Sequence, residues 1–452
     1  MHVGVGTFGP FFHQKSVGPV AASPAYGSGI CNRTLVTGCV PGYGCGKPRV
    51  WVEGGRGVVR NNTDQTSLWG TRLAAPAPPA ELPADSRRRA TPEPPASPCA
   101  GCVPVFWPGL NGSACFRIPS FLQTDRGTLL AFSEARLDGC GLPGGQPGGQ
   151  PGGQPGGQPG GQPGRRNLVL RRSLDAGLTW GGVITVAVGV ITVGAVPCPG
   201  CPALASNPSP VEVRLPNGSL ALLLAYGTVD NTSAARHGED RLLWSMDDGL
   251  TWGGAAELHH PDSDGGLIGP AVGLQASDGT IYFPYSSPAG TREPRLLWTR
   301  DFGRSWTASP GVAGVAGVTE CAIAFRVSPS DGCIVMSCRT TQHVRAQLFW
   351  SADGRPGDVT FPAGLVDANC QGSIINNGRA LYTSNAADAE ARAHMTIQHS
   401  ADAGATWQVL VEVHAGPSAY SQLASLGDRL GLLFEAGTRS PYETISFVAI
   451  DL

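Results

Sequence analysis

The feature that most constrains the fold of this chain is a short motif that occurs four times. The copies are SLDAGLTW at 173–180, SMDDGLTW at 245–252, TRDFGRSW at 299–306 and SADAGATW at 400–407. The motif suits a tight hairpin turn, because its Asp can accept hydrogen bonds from backbone N–H groups and its Gly can adopt a positive φ. The Trp that follows can pack back against its own strand. Four copies predict a repeat architecture of strands and turns, as in a β-propeller.

A short strand pattern precedes each copy of the motif, and a fifth, degenerate copy follows the same rule. It begins at Ser351 after QLFW, and it keeps the Ser-x-Asp start but lengthens the turn. The five starts are 72, 54, 52 and 49 residues apart, and about fifty residues form one four-stranded blade. Five such hairpins, with strands at the two ends closing the ring, predict an all-β, six-bladed β-propeller. The structural acids of the four turns are Asp175, Asp247, Asp301 and Asp402.

Composition divides the chain into a low-complexity N-terminal region and a propeller. Residues 1–100 are rich in Gly, Pro, Ala, Ser and Arg with little apolar periodicity, and residues 75–98 have the composition of an unfolded linker. We therefore expect the propeller to occupy residues 101–452, with its first strand near 102–106. Residues 143–164 contain five PGGQ repeats followed by Pro-Gly, and their period of four excludes a collagen helix and indicates a flexible insert.

Charge and hydropathy argue against two classes of interaction. The formal net charge is −2 and no basic patch is interleaved with aromatic residues, so we expect no nucleic-acid partner. The longest apolar run, residues 183–196, has 14 residues with two internal glycines, which suits buried strands and not a transmembrane helix. The N-terminus is a poor signal peptide, but five Asn-x-Ser/Thr sequons still indicate secretory handling. The sequons are at Asn32, Asn61, Asn111, Asn217 and Asn231.

The 13 cysteines are an odd number and are spread over the whole chain. Two CxxC pairs, Cys99/Cys102 and Cys198/Cys201, make a zinc site conceivable, but they are far apart in sequence and Pro-rich. Disulfides or buried thiols are the favoured interpretation. The histidines have no metal-binding spacing and are interpreted as structural, so no metal is predicted. These histidines are His259, His260, His343 and His394.

The segment CFRIPSF at 115–121, together with the repeated turns, resembles the sialidase (neuraminidase) family, whose members pair an F/YRIP segment with turns called Asp-boxes. The resemblance covers residues 104–452. Segments such as RGTLLAFSEAR, NLVLRRSLDAGLTW and GPSAYSQLASL are most similar to the lysosomal sialidases of vertebrates. The resemblance implies an exo-α-sialidase that removes terminal sialic acids from glycoproteins, oligosaccharides and glycolipids with retention of configuration, and that needs no cofactor.

The resemblance also implies a pocket in which three arginines bind the substrate carboxylate. Arg117 of FRIP matches the first arginine, Arg339 in MSCRT the second, and Arg392, eight residues before the last motif, the third. Guanidinium groups suit this role because they bind carboxylates through paired hydrogen bonds and stay charged at any pH. Glu435 in LLFEAG matches the supporting carboxylate that holds the first arginine in place.

By the same resemblance, the nucleophile is Tyr420 in GPSAYSQL and its base is Glu320 in VTECAI. Sialidases depart from the two-carboxylate rule of most glycosidases. Charge gives a reason, because the anomeric carbon of sialic acid carries a carboxylate that would repel an acidic nucleophile but not a neutral phenol. A phenol with a pKa of about 10 needs a partner to take its proton, which is the role of Glu320. Further candidates for lining the pocket are Tyr282, Tyr285 and Arg136.

The acid/base residue is the point at which the sequence departs from the family. The family's Asp lies on a mobile loop between the AFSEAR strand and the next strand, and here the PGGQ insert interrupts that loop. Asp138 is the only acidic residue between Arg136 and Asp175. We therefore expect Asp138 to protonate the glycosidic oxygen, from a long loop that disfavours preorganisation.

Two functional hypotheses remain open, and the sequence disfavours a third. An exo-α-sialidase would act on sialylated glycans in the lysosome or secretory pathway, and the family's lysosomal member works with a carboxypeptidase protective protein. A catalytically weak or inactive sialic-acid-binding propeller would keep the arginines while the acid loop is broken. A general Asp-box scaffold, such as a sorting-receptor ectodomain, predicts neither the arginines nor the Tyr–Glu pair. Asp138 and its loop discriminate between the first two hypotheses.

Overall fold

Strands make up almost all of the regular structure of this protein, which is known here from a computed structural model. The structure describes residues 92–140, 165–188, 192–193, 196–197, 205–229, 238–259, 267–286, 293–312, 315, 318–330, 332–351 and 353–452. The low-complexity region 1–100, apart from its last nine residues, and the PGGQ insert 143–164 lie outside the described residues.

The described residues form an all-β fold in which the only helical segment is a 3-10 turn at Leu110–Gly112. The first strands in chain order are β1 (Val103–Phe106), β2 (Cys115–Gln123), β3 (Leu129–Arg136), β4 (Arg166–Ser173), β5 (Ile184–Ala187), β6 (Thr192–Val193), β7 (Val196–Pro197), β8 (Ala205–Arg214), β9 (Leu220–Val229), β10 (Gly238–Ser245), β11 (Gly253–Glu257), β12 (Leu267–Ile268) and β13 (Leu274–Gln275). The remaining strands are β14 (Ile281–Ser286), β15 (Pro294–Thr299), β16 (Thr307–Ala308), β17 (Thr319–Phe325), β18 (Ile334–Arg339), β19 (Ala346–Trp350), β20 (Pro356–Thr360), β21 (Ser373–Asn376), β22 (Leu381–Ala386), β23 (Ala393–Ser400), β24 (Gln408–Ser425), β25 (Arg429–Ala436) and β26 (Thr444–Asp451).

Neighbouring strands pair antiparallel, mostly in chain order, and so form blades like those of a β-propeller. Three sheets have four strands each, in the orders β2-β3-β4-β5, β8-β9-β10-β11 and β17-β18-β19-β20. A further sheet joins β12 and β13 to β14, followed by β15 and β16. The largest sheet has seven strands in the order β1-β26-β25-β24-β23-β22-β21. The all-β prediction and the blade-like repeat are confirmed.

The seven-stranded sheet changes its pairing in the middle of one long strand. Up to Pro417, β24 pairs with β23, and from Ser418 onward it pairs with β25. At one edge of this sheet β1 pairs with β26, so that Val103 lies opposite Phe447. The two ends of the region predicted as a propeller are therefore joined by hydrogen bonds.

The core lies between neighbouring sheets and consists of aliphatic and aromatic side chains. Strand β3 shows how the sequence produces it, because all eight of its residues are buried. Successive side chains of a strand point to opposite faces. Leu129 accordingly joins a cluster with Phe447 of β26. Its neighbour Leu130 joins a different cluster with Leu222 of β9, so this sheet is covered by apolar side chains on both faces.

The four repeated turns have the hydrogen bonds that the motif predicts. In the first turn, Asp175 accepts hydrogen bonds from the backbone N–H of Thr179 at 2.9 Å and from its hydroxyl at 2.5 Å. The hydroxyl oxygen of Ser173 accepts from the N–H of Gly177 at 2.8 Å. The same contacts recur in the other three turns, and the Gly of each turn has a φ between 85° and 92°. The acids of those turns are Asp247, Asp301 and Asp402.

The turns also fasten neighbouring sheets to each other. Gly177 lies so close to the Phe447 ring of β26 that a Cβ atom would overlap it, so only Gly fits there. Trp180 meets the same ring edge-on at 5.6 Å between centroids. Trp252 meets Phe132 of β3 in the same way at 5.8 Å. Both Trp rings therefore reach the adjacent sheet, a contact that the motif did not predict, while the expected packing against their own strands stays a prediction.

The cysteines of the described region are mostly paired. Disulfides join Cys99 to Cys102, Cys115 to Cys140 and Cys321 to Cys338, whereas Cys370 is a buried free thiol. The second CxxC pair, Cys198/Cys201, lies outside the described residues. In the part of the chain that is described, no group of three His, Cys, Asp or Glu residues could hold a metal ion. That part also lacks any helix with the length and apolar character needed to cross a membrane.

Candidate active site

Six of the predicted site residues come from separate parts of the sheets and are brought together. They are Arg117 of β2, Glu320 of β17, Arg339 of β18, Arg392 just before β23, Tyr420 of β24 and Glu435 of β25. Three of these strands are irregular at the residue concerned: the register shifts just after Arg117, at Glu320 and around Tyr420. A bulge redirects one side chain out of the regular alternation of a strand. Glu320 has a φ of 51°, which fits this local distortion.

Arg117 is bound by a fully buried carboxylate. Its Nε donates to Oε1 of Glu435 at 2.8 Å and its Nη2 donates to Oε2 at 3.2 Å. The backbone N–H groups of Ile118 and Tyr420 also donate to Glu435, at 2.9 and 3.3 Å. Burial alone would lower the pKa of Arg117, but the charge and hydrogen bonds of Glu435, together with the nearby tyrosines, hold this pKa above its ordinary value. The two hydrogen bonds to Glu435 therefore hold the guanidinium of Arg117 in one orientation.

Arg339 pairs with the predicted base. Its Nη1 donates to Oε2 of Glu320 at 2.6 Å, and its Nε donates to Oδ1 of Asn369 at 2.7 Å. Burial tends to raise the pKa of Glu320, but the charge of Arg339 and the hydrogen bond from Tyr420 hold it below its ordinary value. Glu320 is therefore a carboxylate that can still accept a proton.

Tyr420 donates a short hydrogen bond from its hydroxyl to Oε1 of Glu320. Burial and the nearby charge of Glu320 both raise the pKa of Tyr420 well above its ordinary value, and Arg392 and Arg339 oppose them only in part. In the resting site the phenol is therefore neutral and already aligned with a proton acceptor. This is the arrangement that activates a weak nucleophile.

The third arginine has a different kind of partner. Nη1 of Arg392 donates to the hydroxyl of Tyr442 at 3.0 Å. The guanidinium carbons of Arg392 and Arg117 lie 5.6 and 5.0 Å from the centre of the Tyr420 ring. We call Arg117, Arg339 and Arg392 the arginine cluster. Within the described residues, Arg392 is the member of the cluster that makes no ion pair with a carboxylate.

Asn369, which orients Arg339, lies on a loop held by a buried ion pair. Nη1 of Arg345 lies 3.4 Å from Oδ1 of Asp367, and neither side chain is exposed. The same Nη1 donates to the carbonyl of Cys370 at 3.1 Å, and the N–H of Cys370 donates to Asp367. Burial raises the pKa of the Cys370 thiol to about 11, so this thiol is neutral beneath the site.

Arg136 ends β3 and lies buried beside Glu134. Its Nε and Nη2 donate to Oε2 of Glu134 at 2.9 and 2.7 Å, and its Nη1 donates to the carbonyl of Cys140 at 3.0 Å. Burial lowers the pKa of Arg136, and the charge of Arg117 acts in the same direction. Arg136 therefore borders the arginine cluster, and it shares the charge of Glu134 with Arg166, whose Nη1 lies 3.8 Å from Oε2 of Glu134.

Asp138 lies two residues after β3, and its contacts are with Arg165. The backbone N–H of Arg165 donates to Oδ2 at 2.8 Å, and Nη2 donates to Oδ1 at 3.0 Å. These hydrogen bonds hold the pKa of Asp138 below its ordinary value, although 44% of the side chain is exposed. A general acid must carry its proton at the working pH, so this geometry alone does not provide one. The role of Asp138 as the acid stays a prediction.

The two tyrosines predicted to line the pocket lie in apolar clusters. Tyr282 is buried against Trp298, with 6.4 Å between ring centroids, in the cluster that contains Leu348. Tyr285 is 1% exposed and joins the cluster that contains Phe283. Their part in binding stays a prediction, because the contacts above connect neither ring to the arginine cluster.

The histidines interpreted as structural lie beside acidic or backbone groups. Nδ1 of His394 lies 3.3 Å from Oε2 of Glu412, and Nδ1 of His259 lies 3.6 Å from Oε1 of Glu257. The carbonyl of His343 accepts a hydrogen bond from the loop that carries Asn369. His260 lies outside the described residues.

Two residues of the site were not found by sequence reasoning, Asn369 and Tyr442. Neither lies in a motif, and each acts through an arginine that the sequence did indicate. Tyr442 stands seven residues after Glu435, at the far end of the turn between β25 and β26. The available signal for Tyr442 was its position, since it is an aromatic residue with a polar group near the end of a hairpin that begins at Glu435.

Comparisons with known proteins identify a family and several relatives. A family model described as a BNR repeat-like domain matches residues 203–433. A sialidase of Micromonospora viridifaciens is 28% identical over 371 residues, which cover 74% of this chain and 52% of the relative. A sialidase of Bacteroides fragilis (strain YCH46) is 23% identical over 368 residues, which cover 74% of this chain and 62% of that relative. The chain thus spans less than two thirds of the length of either relative.

A solved structure adds evidence on the fold. The Hadza microbial sialidase Hz136 superposes with a TM-score of 0.59 at 20% identity, over 76% of this chain and 66% of that protein. At this identity the similarity concerns the fold alone. The family model, in contrast, matches just over half of the 452 residues. The chain therefore belongs to the BNR repeat-like family, and its named relatives are sialidases.

Proposed function

We propose that this chain is an exo-α-sialidase, a glycoside hydrolase that removes terminal sialic acids from glycans with retention of configuration. The observation that carries the proposal is the charge balance of the arginine cluster. Two of its guanidiniums are paired with Glu435 and Glu320, whereas Arg392 makes no ion pair with a carboxylate among the described residues and donates to the hydroxyl of Tyr442. One positive charge is left in a partly buried setting, and a ligand carboxylate would balance it.

The reaction that follows from this geometry has two displacements. In the first, the Tyr420 oxygen attacks the anomeric carbon and its proton passes to Glu320, while the bond to the leaving oxygen breaks and that oxygen takes a proton from an acid. In the second, water attacks the same carbon, its proton returns to the acid/base residue, and Tyr420 recovers its proton from Glu320. Two displacements at one carbon give net retention.

We propose Asp138 as the acid that protonates the leaving oxygen. Its support is its position two residues after Arg136, which borders the arginine cluster. The ion pair with Arg165 must open, or the surroundings must be acidic, for the carboxyl to carry a proton. An acidic lysosomal compartment would supply that condition.

The same ion pair favours a second candidate function. If Asp138 stays paired with Arg165, the site keeps its arginines and its Tyr–Glu pair but lacks an acid for the leaving group. Such a protein would bind sialic acid and hydrolyse natural sialosides weakly or not at all. The two candidates differ in turnover and not in binding.

We propose six blades for the propeller. The seven-stranded sheet would count as two blades, because β24 exchanges β23 for β25 at Ser418. The inner strands would then be β2, β8, β13, β17, β21 and β24, and contacts connect them in this order and join β24 back to β2. Such a ring brings residues from distant blades to one central site.

The biological setting belongs to the same proposal. Sialylated glycoproteins, oligosaccharides and glycolipids are the expected substrates, in the lysosome or the secretory pathway, as in the lysosomal sialidases of vertebrates that the sequence resembles. A lysosomal carboxypeptidase protective protein is the expected partner. The five sequons are the feature of the chain that supports secretory handling.

A fluorogenic sialoside assay at acidic pH, with a Tyr420→Phe variant beside the native protein, tests the proposal. The native protein should release the fluorophore and the variant should lose activity by at least about a thousandfold, because its ring has no nucleophilic oxygen. Both should bind sialic acid, since the arginine cluster is intact. Binding without turnover of a natural sialoside by the native protein would favour the second candidate, and no binding by either protein would exclude both.

A further inference from the structure

Tyr442 contacts two members of the arginine cluster at once. The centre of its ring lies 4.2 Å from the guanidinium carbon of Arg117. Its hydroxyl accepts the hydrogen bond from Nη1 of Arg392 at 3.0 Å. The side chain is partly buried against the cluster that contains Ile118 and Tyr420. Tyr442 thus lies where it can set the distance between the two guanidiniums.

The chemistry of a tyrosine suits this place better than that of an acid. Two guanidiniums repel each other, and the repulsion grows where burial reduces screening by water. The face of an aromatic ring attracts one cation, and the phenol oxygen accepts a hydrogen bond from the other. A carboxylate would also hold both arginines, but it would neutralise the charge left for a ligand. Tyr442 provides both contacts without a carboxylate.

The turn that carries Tyr442 is ordered by its own hydrogen bonds. The carboxylate of Glu443 accepts from the backbone N–H groups of Thr438 and Arg439, at 2.9 and 3.1 Å. Pro441 directly precedes Tyr442 and restricts the backbone there. The ring is therefore presented to the arginines by the fold and not by a bound ligand.

We propose that Tyr442 is a positioning residue that holds Arg117 and Arg392 at the spacing required by the carboxylate of the substrate. The inference rests on the proposed function, since it assumes that the arginine cluster binds a carboxylate. Preorganised donors do not have to be ordered when the ligand binds, so their benefit appears in affinity for that group. Tyr442 should accordingly affect KM for a sialoside and leave the chemical step unchanged.

The test compares Tyr442→Phe and Tyr442→Leu with the native full-length protein. Phe keeps the ring over Arg117 and removes the hydroxyl that binds Arg392, whereas Leu removes both contacts. We expect KM for a fluorogenic sialoside to rise by about 3- to 10-fold in the Phe variant and by about 10- to 100-fold in the Leu variant. In both variants kcat should stay within about twofold, because Tyr420 and Glu320 are untouched.

Calorimetry with sialic acid and with its methyl ester assigns the effect to the carboxylate. The native protein should bind the acid more tightly than the ester, and the Leu variant should lose most of this preference. Tyr382→Phe is a matched control. This buried tyrosine of β22 packs near His399 of β23, and none of the contacts described for the arginine cluster involves it. Its KM and its preference should equal those of the native protein.

The outcomes separate the inference from the proposed function. A native protein that binds acid and ester equally refutes the carboxylate site, and the role of Tyr442 with it. A native protein that prefers the acid, with Phe and Leu variants that keep the native KM and preference, overturns the inference alone. A Leu variant that loses acid and ester affinity equally also overturns it, because that result indicates a structural role. Thermal unfolding of each variant checks the fold, and the Phe variant suffices if the Leu variant is unfolded.

Discussion

The repeated Asp turns and the arginine cluster both depend on hydrogen-bonded carboxylates, but they are assembled over very different sequence distances. Asp175 bonds residues two and four positions away in its own turn. Glu435 holds Arg117 across 318 positions, and Tyr420 meets Glu320 across 100. The turns are therefore complete within eight residues, whereas the site exists only after the sheets have assembled. Local patterns reveal the first kind of structure, and the second needs the topology.

The two regions also differ in what surrounds their carboxylates. The turn acids are exposed or half-buried and accept hydrogen bonds from backbone N–H groups of their own turns. Glu435 is fully buried, and Glu320 is ionised beside Arg339 under a neutral phenol. The turn carboxylates stabilise the fold, whereas we propose that those of the site fix charge for a ligand. Substitutions in the two regions should therefore affect different measurements.

The largest expected effect is that of Glu320→Gln on turnover. The amide keeps the shape of the side chain but cannot take the proton of Tyr420, so kcat should fall by about 10²- to 10⁴-fold. Steady-state kinetics of the sialoside at acidic pH measure this, with unfolding temperature as the check on the fold. A variant with native kcat would mean that the Tyr–Glu contact has no part in the chemistry.

The next prediction compares how much two disulfides stabilise the protein, one beside the site and one just before β1. Cys321–Cys338 joins β17 to β18 next to Glu320 and closes a separation of 17 residues. Removal by two Ala substitutions should lower the free energy of unfolding by about 3 kcal/mol. Urea denaturation measures the loss. The matched control, removal of Cys99–Cys102 with its separation of 3, should cost less, because a shorter loop constrains the unfolded chain less. Equal losses would contradict this.

How much of this contrast the sequence could predict depends on the region. The individual hydrogen bonds of the turns could be predicted, because the donor and the acceptor lie in the same motif, as Thr406 and Asp402 do. Arg117, Glu320 and Tyr420 were indicated by resemblance alone, since no local pattern marks them. Tyr442 was missed because its contacts are to arginines far away in sequence, and no spacing rule predicts which turn will reach them.

The Trp residues of the turns show the same limit on a smaller scale. The motif predicted that each Trp packs against its own strand, but it did not predict a contact with the neighbouring sheet. Trp180 meets Phe447, which is far away in sequence and one sheet away in space. The presence of a Trp predicted that this position is packed, whereas the partner it contacts depended on which sheet lies next to the turn.

A smaller effect is expected in the turns themselves. Asp402→Asn keeps the size of the side chain but weakens its hydrogen bonds to Thr406, and should lower the free energy of unfolding by about 1 kcal/mol at neutral pH. Catalysis should stay native. Asp358→Asn, at an exposed position of β20, is the control and should have no effect. A loss of activity without a loss of stability would break the division between the two regions.

The same variant has a predicted dependence on pH. Although burial opposes it, hydrogen bonding to Thr406 lowers the pKa of Asp402 to about 2, below the value of about 3.9 for an unfolded Asp. The stabilisation is therefore fully present above about pH 4 and is lost as the pH falls toward 2. The difference in unfolding temperature between native protein and Asp402→Asn should shrink over this window. A difference that stays constant down to pH 2 would contradict the assignment.

The smallest expected effect concerns the acid loop. The hydrogen bonds from Arg165 hold the pKa of Asp138 below its ordinary value, so Arg165→Gln should raise this pKa toward that value. If Asp138 must be protonated for catalysis, activity falls as the pH rises through this pKa, and the variant's falling limb should move to higher pH. A pH–rate profile measures the shift. An unchanged profile would remove Asp138 from the role of acid.

The central claim is that Tyr420 and Glu320, beside an arginine cluster with one unbalanced positive charge, perform a double displacement at the anomeric carbon of a sialoside. Proton NMR of a sialoside during hydrolysis by the native protein tests it most directly. The α-anomer of free sialic acid should be the first product, and the β-anomer should appear only later by mutarotation. Initial release of the β-anomer would contradict the claim, because it requires a single displacement by water.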